Sequence, residues 1–234
     1  MNRICTICAR GGSKGVKNKN IRDLLDIPLI AHSIIQAKKS SMFEVIAVSS
    51  DSNDILAIAK EYGADLLIER PKELATDQAA KLPVIQHCVK VSEEKLDRKF
   101  DIVVDLDATS PLRSIEDIVQ SLTQFEGNKD ATNLITGAPA RRSPYFNLVE
   151  VIDSYVSLSK PLEKGIVRRQ DAPKSYDMNA SIYIWRRESL LKSTSVFQSN
   201  TILYEMPEER SIDIDSELDF EFVSFLAKKR GELV

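Results

Sequence analysis

Short apolar runs alternate along the chain with longer stretches in which apolar residues return every three to four positions. Residues 2–9, 45–49, 65–68 and 102–106 are apolar and partly β-branched, and read as buried strands. Between them, 28–40 and 53–62 carry Leu, Ile and Ala at helical spacing, and 81–95 places Val84 and Val91 on one side. This alternation predicts βαβ crossovers and an α/β fold, with a largely parallel, twisted sheet flanked by helices. A further helix is expected over 114–125, with Ser114 as N-cap and Asp117 three residues on completing a capping box.

After 133–137 the pattern changes. Residues 138–143 and 160–175 carry proline turns and many Arg and Lys residues without a clean period, so 138–175 is expected to protrude from the sheet as an arm. A strand returns at 181–185, and 217–229 reads as an amphipathic helix capped by Ser216. No internal repeat, low-complexity tract or Gly/Ser linker interrupts the chain, so residues 1–234 are read as one domain with the arm inside it.

Composition narrows the function. With 43% apolar and 29% charged residues the chain is globular, not disordered. Its 32 basic and 35 acidic residues leave a net charge of −3, which excludes a general nucleic-acid binder and requires any anionic ligand to meet a local cluster. No stretch reaches the roughly 18–20 apolar residues of a membrane span, and the N-terminus runs into its first strand without a cleavage site, so a cytoplasmic protein is expected. Cys5 and Cys8 form a C-x-x-C only on paper: on a strand, positions three apart face opposite ways, so core packing is expected of them. His32 and His87 fall singly in helical segments and make no metal site.

The strongest local signal follows the first strand. Arg10-Gly11-Gly12-Ser13-Lys14-Gly15, with Lys17, Lys19 and Asn20, combines glycines that let backbone N–H groups approach a ligand with cations suited to a polyphosphate. It fits neither G-x-x-x-x-G-K-[ST] nor G-x-G-x-x-G, so a P-loop NTPase and a Rossmann dehydrogenase are disfavoured. A ligand site is expected here because α/β sheets bind ligands at the carboxyl ends of their strands.

Two carboxylate pairs also stand out. Asp213 and Asp215, two apart in an extended run, share a face and suit Mg²⁺, with Asp215 the direct ligand and Asp213 its companion; Ile212 and Ile214 pack on the other side. Asp105-Leu106-Asp107 has the same spacing, and alone it would suggest a metal-dependent, D-x-D nucleotide-sugar glycosyltransferase.

Five segments in order decide between these readings. Ala9 to Gly15 with Lys19-Asn20, Val48-Ser49-Ser50-Asp51, Arg70-Pro71 with Glu73 to Asp77, Thr109-Ser110-Pro111-Leu112-Arg113 and Ser211-Ile212-Asp213-Ile214-Asp215 together resemble the acylneuraminate cytidylyltransferases. The resemblance spans essentially the whole chain. It implies a Rossmann-like fold of the nucleotide-diphospho-sugar transferase type and CMP transfer from CTP to the anomeric hydroxyl of a nine-carbon α-keto acid sugar, with Mg²⁺ and release of pyrophosphate. By the same resemblance Arg10, Gly11, Gly12, Ser13 and Lys14 hold the triphosphate and Lys19 faces the α-phosphate. Asn20, Arg70 and the backbone at Ala79 read cytosine.

On the sugar side, the resemblance implies that Arg169 and Gln170 on the arm reach across a homodimer, and that Asn179, Tyr183 and Phe197 line the sugar. The family's sialic-acid members carry Gln-Pro where this chain has Asp107-Ala108; an acid at that sugar-contacting position, with Cys5 to Cys8 and Tyr176 to Ser181, looks more like the legionaminic-acid branch. CTP and a nonulosonic acid, not nucleic acid or membrane, are the expected partners. A non-catalytic nucleotide-binding regulator on the same fold is the remaining alternative, against which stand Lys19 and the Asp213/Asp215 pair.

Overall fold

The structure, a computed structural model, describes residues 1–231. Its elements run β1 (Arg3–Cys8), β2 (Asp23–Leu24), β3 (Ile27–Pro28), α1 (Leu29–Ser40), β4 (Val45–Ser50), α2 (Asn53–Glu61), β5 (Leu66–Glu69), α3 (Lys81–Leu96), β6 (Ile102–Leu106) and α4 (Ile115–Gly127). They continue with β7 (Asn133–Pro139), β8 (Val149–Ile152), β9 (Tyr155–Leu158), β10 (Tyr176–Arg186), α5 (Arg187–Lys192), β11 (Thr201–Glu205) and α6 (Glu217–Arg230).

Seven strands form the main sheet in the order β11-β7-β10-β6-β1-β4-β5. Only β10 runs antiparallel to its neighbours; the other adjacent pairs are parallel, as the crossovers predict. β1 is central, with Ile4 level with Val45 on one side and Val103 on the other. Strand alternation divides the core. Cys5 and Ile7 face α1, α2 and α4, while Ile4 faces α3 and α5. Cys5 and Cys8 therefore lie on opposite faces as expected, Cys5 in one core and Cys8 against the other. The Ser114–Asp117 capping box is also present. His32 is a core residue whose Nε2 meets the Leu24 carbonyl at 2.8 Å, and burial lowers its pKa.

The structure adds elements that periodicity did not predict. β11 is an edge strand, only half-buried and five residues long, too short for a period to stand out. Within the arm, β8 and β9 form a separate two-stranded sheet around an Asp153-Ser154 turn. Val149, Val151, Val156 and Leu158 share one side of this hairpin, and the three valines are exposed.

α6 departs from the expected amphipathic pattern. Phe220, Val223 and Ala227 pack inward with Val16, Leu24, Leu29, Leu112 and Ile214, but Leu218, Phe222 and Phe225 leave the outer face apolar as well. This small third core pins the loop after β1 to the Asp213–Asp215 segment, which is how two sequence-distant motifs meet.

Candidate active site

A cleft of about 390 Å³ opens at the carboxyl ends of β1 and β6, beside the first turn of α3. Arg10, Ser13, Lys14, Lys19, Asn20, Arg70, Ala79, Asp107 and Asp215 line it, so the structure brings these dispersed residues together.

The glycine loop is shaped for an anion. Gly11 N–H donates to Asp51 Oδ1 at 2.9 Å, and Gly12 takes φ +67°, a conformation that costs a side-chain-bearing residue energy. Arg10 and Lys14 both pair with Asp77, whose pKa their hydrogen bonds lower. Lys19 Nζ donates to the Ile214 carbonyl and lies 3.4 Å from Asp215 Oδ1. It is therefore fixed between the loop and the carboxylate pair.

The base-reading candidates lie on the β4 side. Arg70 is buried, with Nη2 donating to the Ser49 carbonyl at 2.7 Å and Nε to Ser49 Oγ at 3.3 Å. Asn20 Nδ2 donates to the Arg10 carbonyl at 2.9 Å, while its buried Oδ1 has no hydrogen-bond partner among the described residues. An unpaired amide oxygen in a cleft is an acceptor awaiting a donor such as an exocyclic amine. Ala79 lines the cleft, and its N–H donates to the Thr76 carbonyl at 3.1 Å.

Asp213 and Asp215 flank Ile214, which is fully buried and donates its N–H to the Thr109 carbonyl at 2.9 Å. Asp215 has 78% of its side chain exposed, towards the cleft. Burial, followed by the charges of Asp215 and Asp107, raises the pKa of Asp213, and no cation among the described residues pairs with it. Two repelling hard-oxygen donors beside a phosphate site fit Mg²⁺.

Asp107 is not the free acid that its replacement of Gln suggested. Its Oδ1 accepts from Thr109 N–H and Oγ1, both at 2.9 Å, and its Oδ2 is 2.6 Å from Lys81 Nζ. Burial opposes its charge, but Lys81 and Thr109 prevail and bring its pKa down to about 2. The carboxylate thus presents Lys81 to the cleft. Arg113, buried beneath, donates to the Asp107 and Ser181 carbonyls at 2.7 and 2.8 Å and ties β6 to β10. Lys81 was not singled out in the sequence. The available signal was a cation at the first position of a helix, where the dipole disfavours it.

The other sugar-side residues do not assemble in one chain. Tyr183 sits next to Asp105 in register, its ring stacked on Trp185 at 5.5 Å between centroids, and burial raises its pKa. Asn179 is buried at a break in the β7–β10 register, where its Oδ1 accepts from Thr136 Oγ1 and from Ser181 N–H. This commits the amide oxygen to the sheet. Phe197 is 64% exposed and outside the cleft lining. Arg169 and Gln170 line a different pocket, of about 250 Å³ at the root of the arm, with Arg169 bound to the Ala140 carbonyl.

Residues 4–230 match the cytidylyltransferase family. The chain belongs to that family. It is 52% identical to the CMP-N,N'-diacetyllegionaminic acid synthase of Campylobacter jejuni over 223 residues, covering 95% of this chain and 94% of that protein. It is equally similar, at 52% over 228 residues, to the post-translational flagellin modification protein B of Campylobacter coli, covering 97% of this chain and 96% of that one. The N-acylneuraminate cytidylyltransferase of Escherichia coli is 32% identical over 97% of this chain but 52% of its own length. Among solved structures, a CMP:2-keto-3-deoxy-manno-octonic acid synthetase complexed with CTP superposes with a TM-score of 0.71 at 17% identity, covering 98% of this chain and all of that one. That likeness bears out the fold. The cleft just described thus belongs to a cytidylyltransferase, and residues of the motifs read from the sequence line it.

Proposed function

We propose that this cytidylyltransferase transfers CMP from CTP to the anomeric hydroxyl of a nine-carbon α-keto acid sugar of the legionaminic type, releasing pyrophosphate. One observation carries the reading: the cationic glycine loop and Asp215, two residues on from Asp213, line the same cleft and are joined through Lys19. The 52% identity to the legionaminic enzyme supports the choice of sugar over N-acetylneuraminate.

In this reading Arg10 and Lys14 exchange Asp77 for the β- and γ-phosphates, and Lys19 faces the α-phosphate. Arg70 and Asn20 hold the cytosine edge. Asp215 and Asp213 would hold Mg²⁺, which when bound neutralises charge on the phosphates. The attacking hydroxyl and the departing pyrophosphate then need an in-line arrangement, so positioning and electrostatics carry most of the rate. CTP is an intracellular substrate, and the reaction is assigned to the cytoplasm.

We further infer a homodimer. The apolar side of the β8–β9 hairpin is exposed in a single chain, with Val151 at 70% and Val156 at 67%. A second copy with two-fold symmetry would cover it and carry Arg169 of the partner subunit towards the sugar end of the cleft.

Incubation with CTP, Mg²⁺ and a panel of nonulosonic acids, following pyrophosphate, tests the function. Legionaminic-type acids should be preferred to N-acetylneuraminate by on the order of tenfold or more in kcat/KM. Absence of pyrophosphate release with every acid would sink the proposal.

A further inference from the structure

Lys81 is the first residue of α3, and its ammonium lies 2.6 Å from Asp107 Oδ2 and 3.3 Å from Asp105 Oδ2. The Tyr183 ring is 4.3 Å from the same nitrogen. Asp105 is fully buried; Thr6 Oγ1 donates to its Oδ1 at 2.8 Å, but its Oδ2 receives no hydrogen bond among the described residues. Two carboxylate oxygens from residues two apart thus converge on one point at the cleft wall. Asp107 and Lys81 line the cleft while Asp105 lies buried behind them, and paired carboxylate oxygens of this kind are what a hard divalent cation takes.

We propose that Lys81 is a built-in counter-ion standing where a second divalent cation would otherwise bind, so that Asp105 and Asp107 are closed to metal. The chain then holds metal only at Asp213 and Asp215, a point that rests on the reading above. Without Lys81 the two carboxylates would share only the charge of the buried Arg113, which leaves one of them uncompensated. The lysine also resists the helix dipole, since it occupies the first position of α3.

The charge balance supports the assignment. Burial opposes the charge on Lys81, but Asp107 and then Asp105 outweigh it and raise its pKa, so it stays protonated. Arg113, buried beneath, is the other cation felt by both acids; of the two, Asp107 takes the shorter contact with Lys81, while burial leaves Asp105 with a raised pKa. A divalent ion would have to take the place of the Lys81 ammonium at the same two oxygens, and Lys81 denies it the space. The D-x-D spacing is therefore present without its usual metal.

Mn²⁺ titration, counting bound ions from the loss of the free-ion EPR signal, tests this in the wild type, Asp215→Asn, Lys81→Ala and Lys81→Gln. The wild type should bind one ion per chain and Asp215→Asn none. Lys81→Ala should gain one more, and adding Asp107→Asn should remove it. Lys81→Gln keeps the stem and should show the same gain if the alanine variant folds poorly; circular dichroism reports the fold, and Lys81→Arg should keep the wild-type count. Folded Lys81 variants that bind no additional ion would overturn the proposal, as would a wild-type ion lost on Asp107→Asn. A wild-type count of zero would remove the Asp213/Asp215 reading alone, because the gain from wild type to Lys81→Ala still decides the role of Lys81.

Discussion

A Cβ placed on Gly15 falls onto the carbonyl oxygen of Asp215, far inside van der Waals contact, and lies 3.1 Å from its carbonyl carbon. The glycine is required by this close approach of the loop after β1 to the Asp213–Asp215 segment, since its φ is not in the left-handed region. Gly15→Ala must push the two backbones apart. Because catalysis here depends on positioning, kcat/KM for CTP should fall by on the order of 100-fold. Steady-state pyrophosphate assays would measure this, and near-normal kinetics would show that the approach is incidental.

Asp215→Asn keeps the shape of the side chain but removes the charge that, in the proposed function, would hold Mg²⁺. Turnover should be lost, while CTP binding measured by calorimetry in EDTA persists. Normal rates at limiting Mg²⁺ would refute the assignment of Asp215.

Much of this site was legible because its signals are contiguous. Arg10 to Gly15 carries cations and glycines together, and Asp213-Ile214-Asp215 carries spacing and packing in three residues. Lys81 was not legible, because its role depends on α3 beginning beside β6 and β10, whose partners Asp107 and Tyr183 are distant in sequence. Asn179 shows the reverse: that its amide oxygen is held within the sheet, at a break in the β7–β10 register, could not be read from the sequence. The β8–β9 hairpin did have a signal, an Asp153-Ser154 pair between alternating apolar residues, where both residues take positive φ in the structure, but the surrounding prolines and charges obscured the period.

Arg70→Ala should raise KM for CTP and weaken discrimination against UTP. Arg70 is held by Ser49 through Nε and Nη2, which leaves Nη1 for the base edge. A loss of tenfold or more in the CTP/UTP ratio of kcat/KM is expected, on the order of one base-specific contact. Unchanged selectivity would move cytosine reading elsewhere.

Acid should destabilise the fold through Asp117. This carboxylate is buried at the capping box of α4 and receives Arg210 Nε at 2.7 Å and Nη2 at 2.9 Å. Burial opposes its charge, but Arg210 and Ser114 outweigh that and hold its pKa below the usual carboxylate range. A depressed folded-state pKa means that the stabilisation is complete above the unfolded pKa, near 3.9, and is lost as pH falls through the lower folded value. Arg210→Ala should cost about 2 kcal/mol at pH 7, below the usual loss for a buried pair because Arg210 is 27% exposed. Urea unfolding from pH 7 to pH 3 should show the difference from wild type narrowing only at the acid end; a constant difference would remove Asp117 from the acid response.

The last prediction concerns the arm. Arg169 faces the pocket at the arm's root and not the cleft of its own chain, while the neighbouring hairpin exposes an apolar side. These two facts agree if the arm serves a second subunit: dimerisation covers the valines, and the same contact supplies a cation to the acidic sugar. Arg169→Ala and Asp215→Asn proteins should each be nearly inactive. Mixed under conditions that exchange subunits, they form heterodimers in which one site receives an intact arm and an intact metal pair, while the other lacks both. Random exchange of equal amounts makes about half of the dimers mixed, each with one working site, so activity should recover to about a quarter of wild type. No recovery despite exchange proven by mass spectrometry would confine Arg169 to its own subunit or remove it from catalysis.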